Sequence, residues 1–204
     1  MASRKYEQKL RAESADETRR RILDALAERL REAPAETISV DRIAQMAGVA
    51  RSTVYLVFGS RAGLFDALAE DLFARSGLPS IGEAVAHSDA RESMRGGLRT
   101  GAELYAASRD VLRALFSMAE LDEEAVGGAI RRMEERRSRS MTWLARRLAR
   151  QKALRPDITQ KDAAHVLWLL AGFDAFDALY TGRGLSVDKV ADLLIDTAER
   201  TLCR

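Results

Sequence analysis

The sequence predicts an all-α protein, and three observations carry that prediction. Alanine, leucine, arginine and glutamate dominate, while runs of β-branched residues are nearly absent. Apolar residues recur at i, i+3, i+4 spacing through most of the chain, the period of an amphipathic helix. Only three prolines occur, and two of them, Pro34 and Pro79, stand at apparent junctions between helices. With 204 residues, 47% of them hydrophobic, the chain can bury one good core or two small ones.

The first helix is predicted from about Asp16 to Arg31, with Ile22, Leu23, Leu26, Ala27 and Leu30 facing inward. Residues 1–15 read as a flexible arm. Its Arg4, Lys5, Lys9 and Arg11 could lie along phosphates, but Glu7, Glu13, Asp16 and Glu17 dilute them, and a solvated tail is the preferred reading. Arg19, Arg20 and Arg21 near the predicted helix start oppose its dipole, a placement more sensible beside phosphates.

Next come two short helical patterns that meet at Gly48, over residues 39–58. Ile43, Ala47, Val49, Val54 and Phe58 supply the inward face, and Ala44 is small enough for close approach. Gly48 is placed where a left-handed turn is needed, which glycine adopts without a side-chain clash. This is a helix-turn-helix pattern. The outward face of its second helix carries Arg51, Ser52, Thr53 and Tyr55, all hydrogen-bond donors. From Arg42 to Phe65 there is no Asp or Glu, while Arg42, Arg51 and Arg61 lie inside that window. In a chain that is 31% charged with a net charge of +2, a window of one sign points to a polyanion partner. The alternative, an ordinary tight helix pair in an all-α core, accounts for neither the missing acids nor Tyr55.

Thr18-Arg19-Arg20-Arg21-Ile22-Leu23, Ile43-Ala44, Ala47-Gly48-Val49, Thr53-Val54-Tyr55, Phe58, Ser60-Arg61 and Leu64 together resemble the N-terminal domain of TetR/AcrR-type transcriptional regulators. The resemblance covers roughly residues 17–75. It implies a three-helix DNA-binding domain joined to a larger helical domain that binds a small molecule and dimerises. By position it makes Ser39 a phosphate-contacting cap of the second helix and places Arg51, Ser52 and Thr53 against bases and backbone. It makes Tyr55 a phosphate ligand and puts Arg61 in place of the family's usual phosphate-binding lysine. Three residues depart from the pattern: Ala50 stands where a capping serine is common, Val57 where a His or Tyr often reaches a phosphate, and Asp41 where an acid would face the groove poorly. Asp41 is expected to stabilise the N-terminus of its own helix instead.

A fourth helix, capped by Ser60, carries Leu64, Phe65, Leu68 and Phe73 inward and leads to a junction at Ser76-Gly77-Leu78-Pro79. The predicted domains are therefore 16–76 for DNA binding and 77–204 for a helical ligand-binding and dimerisation body. Five blocks are predicted in that body, over about 89–106, 109–121, 123–152, 159–181 and 186–203, with starts near Asp110 and Ser186 and a break at Gly182-Arg183-Gly184. Residues 131–152 carry many arginines, yet Ile130, Met133, Met141, Leu144 and Leu148 recur at helical spacing, so a solvated amphipathic face is preferred to a second polyanion or membrane surface.

Leu169, Gly172, Phe173, Phe176 and Tyr180, with Val190 and Leu194 of the last helix, are expected to form a homodimer interface as a four-helix bundle. The alternative is that these stripes only close the core of one chain. The resemblance also implies a ligand pocket, for which the candidates are Tyr105, Phe116, Met118, Met141, Trp143 and Trp168, large adaptable side chains on separate helices. Asp174 and Asp177 are expected to pair with arginines across the dimer, or else to face a cationic ligand.

No catalytic chemistry is legible. His87 and His165 are the only histidines and lie far apart, and no metal-spaced cluster, phosphate loop or nucleophile motif occurs, so no enzyme, metal or cofactor is predicted. The single Cys203 cannot form an internal disulfide and reads as a free thiol at a frayed end, in a reducing compartment. A charged N-terminus and an apolar stretch, Val166 to Phe173, too short to span a bilayer point to a soluble, cytoplasmic protein. The function expected is a dimeric repressor, released from a palindromic double-stranded operator by a small-molecule effector. The alternative is a regulator or activator without such a ligand, gated by a protein partner.

Overall fold

A computed structural model of the chain describes residues 2–34, 36, 38–75 and 86–204, with side chains from residue 13 onward. The expected junction at residues 76–79 and the side chains of Arg4, Lys5, Lys9 and Arg11 lie outside the described residues. Every regular element among the described residues is helical: α1 Ala2–Glu32, α2 Val40–Met46, α3 Arg51–Phe58, α4 Arg61–Arg75 and α5 Ala90–Ala119, then a π-helical turn Glu123–Gly127, then α6 Gly128–Arg150, α7 Gln160–Leu170, α8 Phe173–Tyr180 and α9 Val187–Leu202.

The chain divides into two compact units. The first comprises Met1–Asp71 with Arg113–Ile130, the second Leu72–Leu112 with Arg131–Arg204. Residues 113–130, read from sequence as part of the body, thus belong to the first unit.

In the first unit α1 packs on α2 and α2 on α3. The expected inward residues Ile22, Leu23, Leu26, Ala27 and Leu30 are all buried, as are Ile43, Val54, Leu64, Phe65 and Leu68, whereas Phe73 is half-buried. Helix α1 starts at Ala2 rather than near Asp16, because the segment expected as an arm is rich in good helix formers and has no glycine or proline. Arg19, Arg20 and Arg21 therefore stand in mid-helix, where they oppose no N-terminal dipole; Arg19 instead lays its guanidinium 4.9 Å from the Phe58 ring centroid.

The second unit packs around Met94, Leu98, Leu144, Leu148, Leu167, Ile195 and Leu202, from α5, α6, α7 and α9. Three boundaries differ from expectation. The blocks 89–106 and 109–121 are one helix, α5. Asp110 starts nothing, since its carboxylate is taken by Arg109 (2.7 Å), and Val111, Leu112 and Leu115 keep the buried stripe in phase with Leu98 and Leu104. The block 159–181 divides at Ala171-Gly172 into α7 and α8. The start of 123–152 is a π-helical turn capped by Asp122, which accepts from the Ala125 N–H (3.1 Å). Ser60 and Ser186 cap their helices as expected, accepting from Gly63 N–H (3.0 Å) and Lys189 N–H (3.3 Å).

The C-terminus is not frayed. Cys203 forms an antiparallel bridge with Leu154, and Arg155 N–H donates to Leu202 (2.8 Å), which leaves the thiol half-buried and pushes its pKa up through burial. The arginine-rich segment is mostly the expected solvated face, with two exceptions. Arg147 is buried and donates to Ser93 Oγ (2.8 Å), and Arg137 donates to the Trp168 carbonyl and the Glu134 carboxylate. No helix among the described residues is long and apolar enough to cross a membrane.

Candidate nucleic-acid interface

The reading head is set by two glycines and an apolar seam. Ser39 opens α2 in extended backbone, and its exposed hydroxyl makes no cap bond. Val40, Ile43 and Ala44 turn inward, which leaves Asp41 and Arg42 exposed. Gly48 has the left-handed conformation expected of it (φ 64°), and the Val49 N–H behind it donates to Ala44 (2.9 Å), closing the turn. Helix α3 starts at Arg51 behind Ala50, which supplies no side-chain cap. It stops at Gly59, a second glycine at positive φ (74°), where the Ser60 N–H donates to the Phe58 carbonyl (2.9 Å) across a γ-turn that sequence reasoning passed over.

Val54 and Phe58 are buried one turn apart, so the other faces of α3 lie open. Arg51, Ser52 and Tyr55 are exposed as expected, and Thr53 is half-buried. Arg42 is exposed and donates to Gln45 Oε1 (3.0 Å). Asp41 does more than begin its helix: its carboxylate accepts from Arg51 Nη1 at 2.8 Å, with the two side chains 62% and 58% exposed. The Arg51 guanidinium also lies 5.6 Å from the Tyr55 ring centroid. Tyr55 first, and Asp41 after it, hold the Arg51 guanidinium above its ordinary pKa.

Arg61, expected as a phosphate ligand, also has partners within the chain: its Nη1 donates to Asp122, in the loop before the π-helical turn, and its guanidinium lies 5.5 Å from the Phe65 ring centroid. Its Nη2 is buried without a hydrogen-bond partner. Burial alone would raise the Asp122 pKa; the hydrogen bonds from Arg61 and from the Ala125 N–H outweigh that and lower it. Of the seven expected contact residues, Ser39, Arg42, Arg51, Ser52 and Tyr55 are exposed on α2 and α3, Thr53 is half-buried there, and Arg61 is held by Asp122. Leu56, which sequence reasoning passed over, is 86% exposed on α3.

The six expected pocket residues are divided between the two units. Trp143 and Trp168 are 43% and 41% exposed, stacked under Arg147 and Arg137 (both 4.7 Å to the ring centroid). Phe116 and Met118 belong to the first unit. Met141 packs against the second unit's core. Tyr105 is buried between Phe173 and Phe176 (5.6 and 5.7 Å between ring centroids), donates to the Ala171 carbonyl (3.0 Å), and is pushed up to about 12 by burial. The dimer stripe is likewise mostly interior. Phe173, Phe176, Val190 and Leu194 are buried within a single chain, Tyr180 stacks on Phe176 (5.0 Å), and a Cβ at Gly172 would meet the Leu169 carbonyl (3.3 Å) and the Arg137 guanidinium (3.4 Å). Leu169 alone among the seven is exposed, at 62%. Asp177 is buried and pairs within the chain, accepting from Arg109 Nε (3.0 Å) and Thr181 Oγ1 (2.5 Å), whereas Asp174 is exposed.

A basic, acid-free helix presented over a left-handed turn defines a helix-turn-helix DNA-binding protein with a helical body. Residues 22–68 match the family model of bacterial regulatory proteins, tetR family. No curated protein sequence matches the chain. Among solved structures it is similar to NalD, the secondary repressor of the MexAB-OprM multidrug efflux pump in Pseudomonas aeruginosa, with 26% identity over 94% of this chain and 98% of that one and a TM-score of 0.72. It shares its fold with a TetR-family regulator from Syntrophomonas wolfei (14% identity, 90% and 94% covered, TM-score 0.73) and with a regulator from Saccharomonospora viridis in complex with choline (21%, 93% and 99%, 0.68). Residues 22–68 thus carry the DNA-binding domain of the tetR family of bacterial regulatory proteins, and the chain as a whole shares the fold of regulators built on that domain.

Proposed function

We propose that the chain is a dimeric repressor that binds a palindromic double-stranded operator and is released from it by a small-molecule effector. The observation that carries the DNA-reading part is the exposed face of α3, where Arg51, Ser52 and Tyr55 stand together in a window without acids from Arg42 to Phe65. Ser39 and Arg42 on α2 and Thr53 on α3 complete the contact set. The residues fall into a DNA-binding domain over 16–76, behind an N-terminal extension, and a ligand-binding and dimerisation body over 77–204.

Repression is supported by similarity to NalD along nearly the whole chain. A dimer places two heads on half-sites a whole number of helical turns apart, and the effector favours a state with the wrong spacing. A protein partner in place of a small molecule is the second reading. It is favoured by Trp143 and Trp168, which are 43% and 41% exposed.

Selection of genomic DNA fragments by the purified protein yields the operator and its symmetry. Arg51→Ala combined with Tyr55→Ala should abolish binding to that site without altering the melting temperature. Unchanged operator affinity in the double variant refutes the assignment of the interface.

A further inference from the structure

We propose that Leu56 is a base-reading residue, which packs on the C5-methyl group of a thymine in the operator half-site. The inference rests on the DNA-reading assignment of α3. Leu56 is 86% exposed, while every other leucine between residues 13 and 75 is 7% exposed or less. Among the described residues, no packing covers this side chain.

Its direction is set by helix geometry. At about 100° per residue, the buried Val54 and Phe58 define one seam of α3, and Leu56 projects from the diametrically opposite side. Ser52, one turn earlier, shares that ridge. Arg51 and Tyr55 form a neighbouring ridge, turned toward α2, where Arg51 meets Asp41. When α3 enters a major groove with its buried seam away from DNA, the Ser52–Leu56 ridge meets the groove floor and the Arg51–Tyr55 ridge meets a wall. Phosphates line the walls and base edges the floor, so the charged ridge positions the helix and the other ridge reads sequence.

The chemistry of the floor then selects the occupant. Base edges in the major groove present donors, acceptors and one apolar group, the thymine methyl. A leucine has no donor or acceptor, so the contact by which it tells one base pair from another is with that methyl. Ser52 beside it can bond a polar edge, which gives the ridge one polar and one apolar reading position.

The test uses the full-length protein and the operator obtained by selection. Each thymine of the half-site is replaced in turn by uracil, symmetrically in both halves, which removes the methyl and leaves every hydrogen-bonding edge intact. Wild type is expected to lose roughly three- to tenfold in affinity at one position and little elsewhere. Leu56→Ala should bind the thymine and uracil duplexes alike at that position, about as weakly as wild type binds the uracil duplex. Wild type indifferent to every replacement, or Leu56→Ala still sensitive at the same position, overturns the proposal while leaving the DNA-binding reading intact. Failure to select any site overturns both. The protein is unaltered in the first half of the experiment, so folding of the variant does not decide the result.

Discussion

Arg51 and Arg61 carry the same charge, yet their pairing leaves them unequally ready to meet a phosphate. Both partners of the Arg51–Asp41 pair are more than half exposed, so water already screens their attraction and a phosphate can take over Arg51 at little cost. Arg61 and Asp122 are 28% and 26% exposed, and Asp122 is fixed a second time by the Ala125 N–H. Opening that pair would strand a carboxylate in a partly dry site. Arg51→Gln should therefore lower the slope of log affinity against log salt by about one, the signature of one lost phosphate contact, while Arg61→Gln should leave it unchanged. A slope lowered equally by both would mean that the Arg61 pair opens on DNA. The same pair sets a pH response. The Asp122 pKa is lowered in the folded state, so its contribution to stability is present above the ordinary carboxylate range and is lost as pH falls through the lowered value. Melting curves of wild type should drop more steeply than those of Asp122→Asn between neutral pH and pH about 3.

At the scale of elements, stops matter more than propensities. Gly48 and Gly59 end α2 and α3 at positive φ, and a Cβ at either position would meet nothing within 4 Å. Alanine at Gly48 should cost about 1 kcal/mol for its positive φ, and alanine at Gly59 more, because φ 74° with ψ −47° is the strained geometry of a γ-turn. Chemical denaturation should show both losses with no change in m-value. The converse holds after α6, where Lys152 adopts φ 55° and the Ala153 N–H donates to Leu148 (2.9 Å). Lys152→Gly should stabilise the chain by about 0.5–1 kcal/mol in the same measurement. These features also explain what was legible beforehand. The head could be read closely, since its turn glycine, inward stripe and cap at Ser60 are local features. The body could not, because its decisive contacts are long-range. Asp110 has the composition of a helix start, but Arg109 occupies its carboxylate and the apolar stripe of α5 continues past it. Leu169 to Tyr180 keep one helical period through residue numbers, but a break at Ala171-Gly172 turns Phe173 and Phe176 toward Tyr105. Arg61 has the position of a phosphate ligand, and only the fold brings Asp122, 61 residues away, to its guanidinium.

For the whole molecule, the proposed dimer requires apolar surface that one chain leaves uncovered. Phe173, Phe176, Val190 and Leu194 are already buried in one chain, so they stabilise the chain and are not surface that a partner covers. Leu169, 62% exposed on α7 beside the exposed Trp168, keeps its apolar area available. The two kinds of residue must then respond oppositely to substitution. Phe176→Ala removes a ring fully buried between Tyr105 and Tyr180 and should cost about 3–5 kcal/mol in a folding measurement. Leu169→Glu changes a mostly exposed side chain and should leave the stability of a single chain within about 0.5 kcal/mol. If α7 carries the proposed dimer interface, however, the same glutamate places like charges at a two-fold contact. Sedimentation should then show a folded monomer where wild type is a dimer. The monomer should retain salt-dependent binding to a single half-site and lose the added affinity that the linked second head gives on the full palindrome. A Leu169→Glu protein that sediments as a dimer and binds the palindrome as wild type does would move the interface off this face of α7.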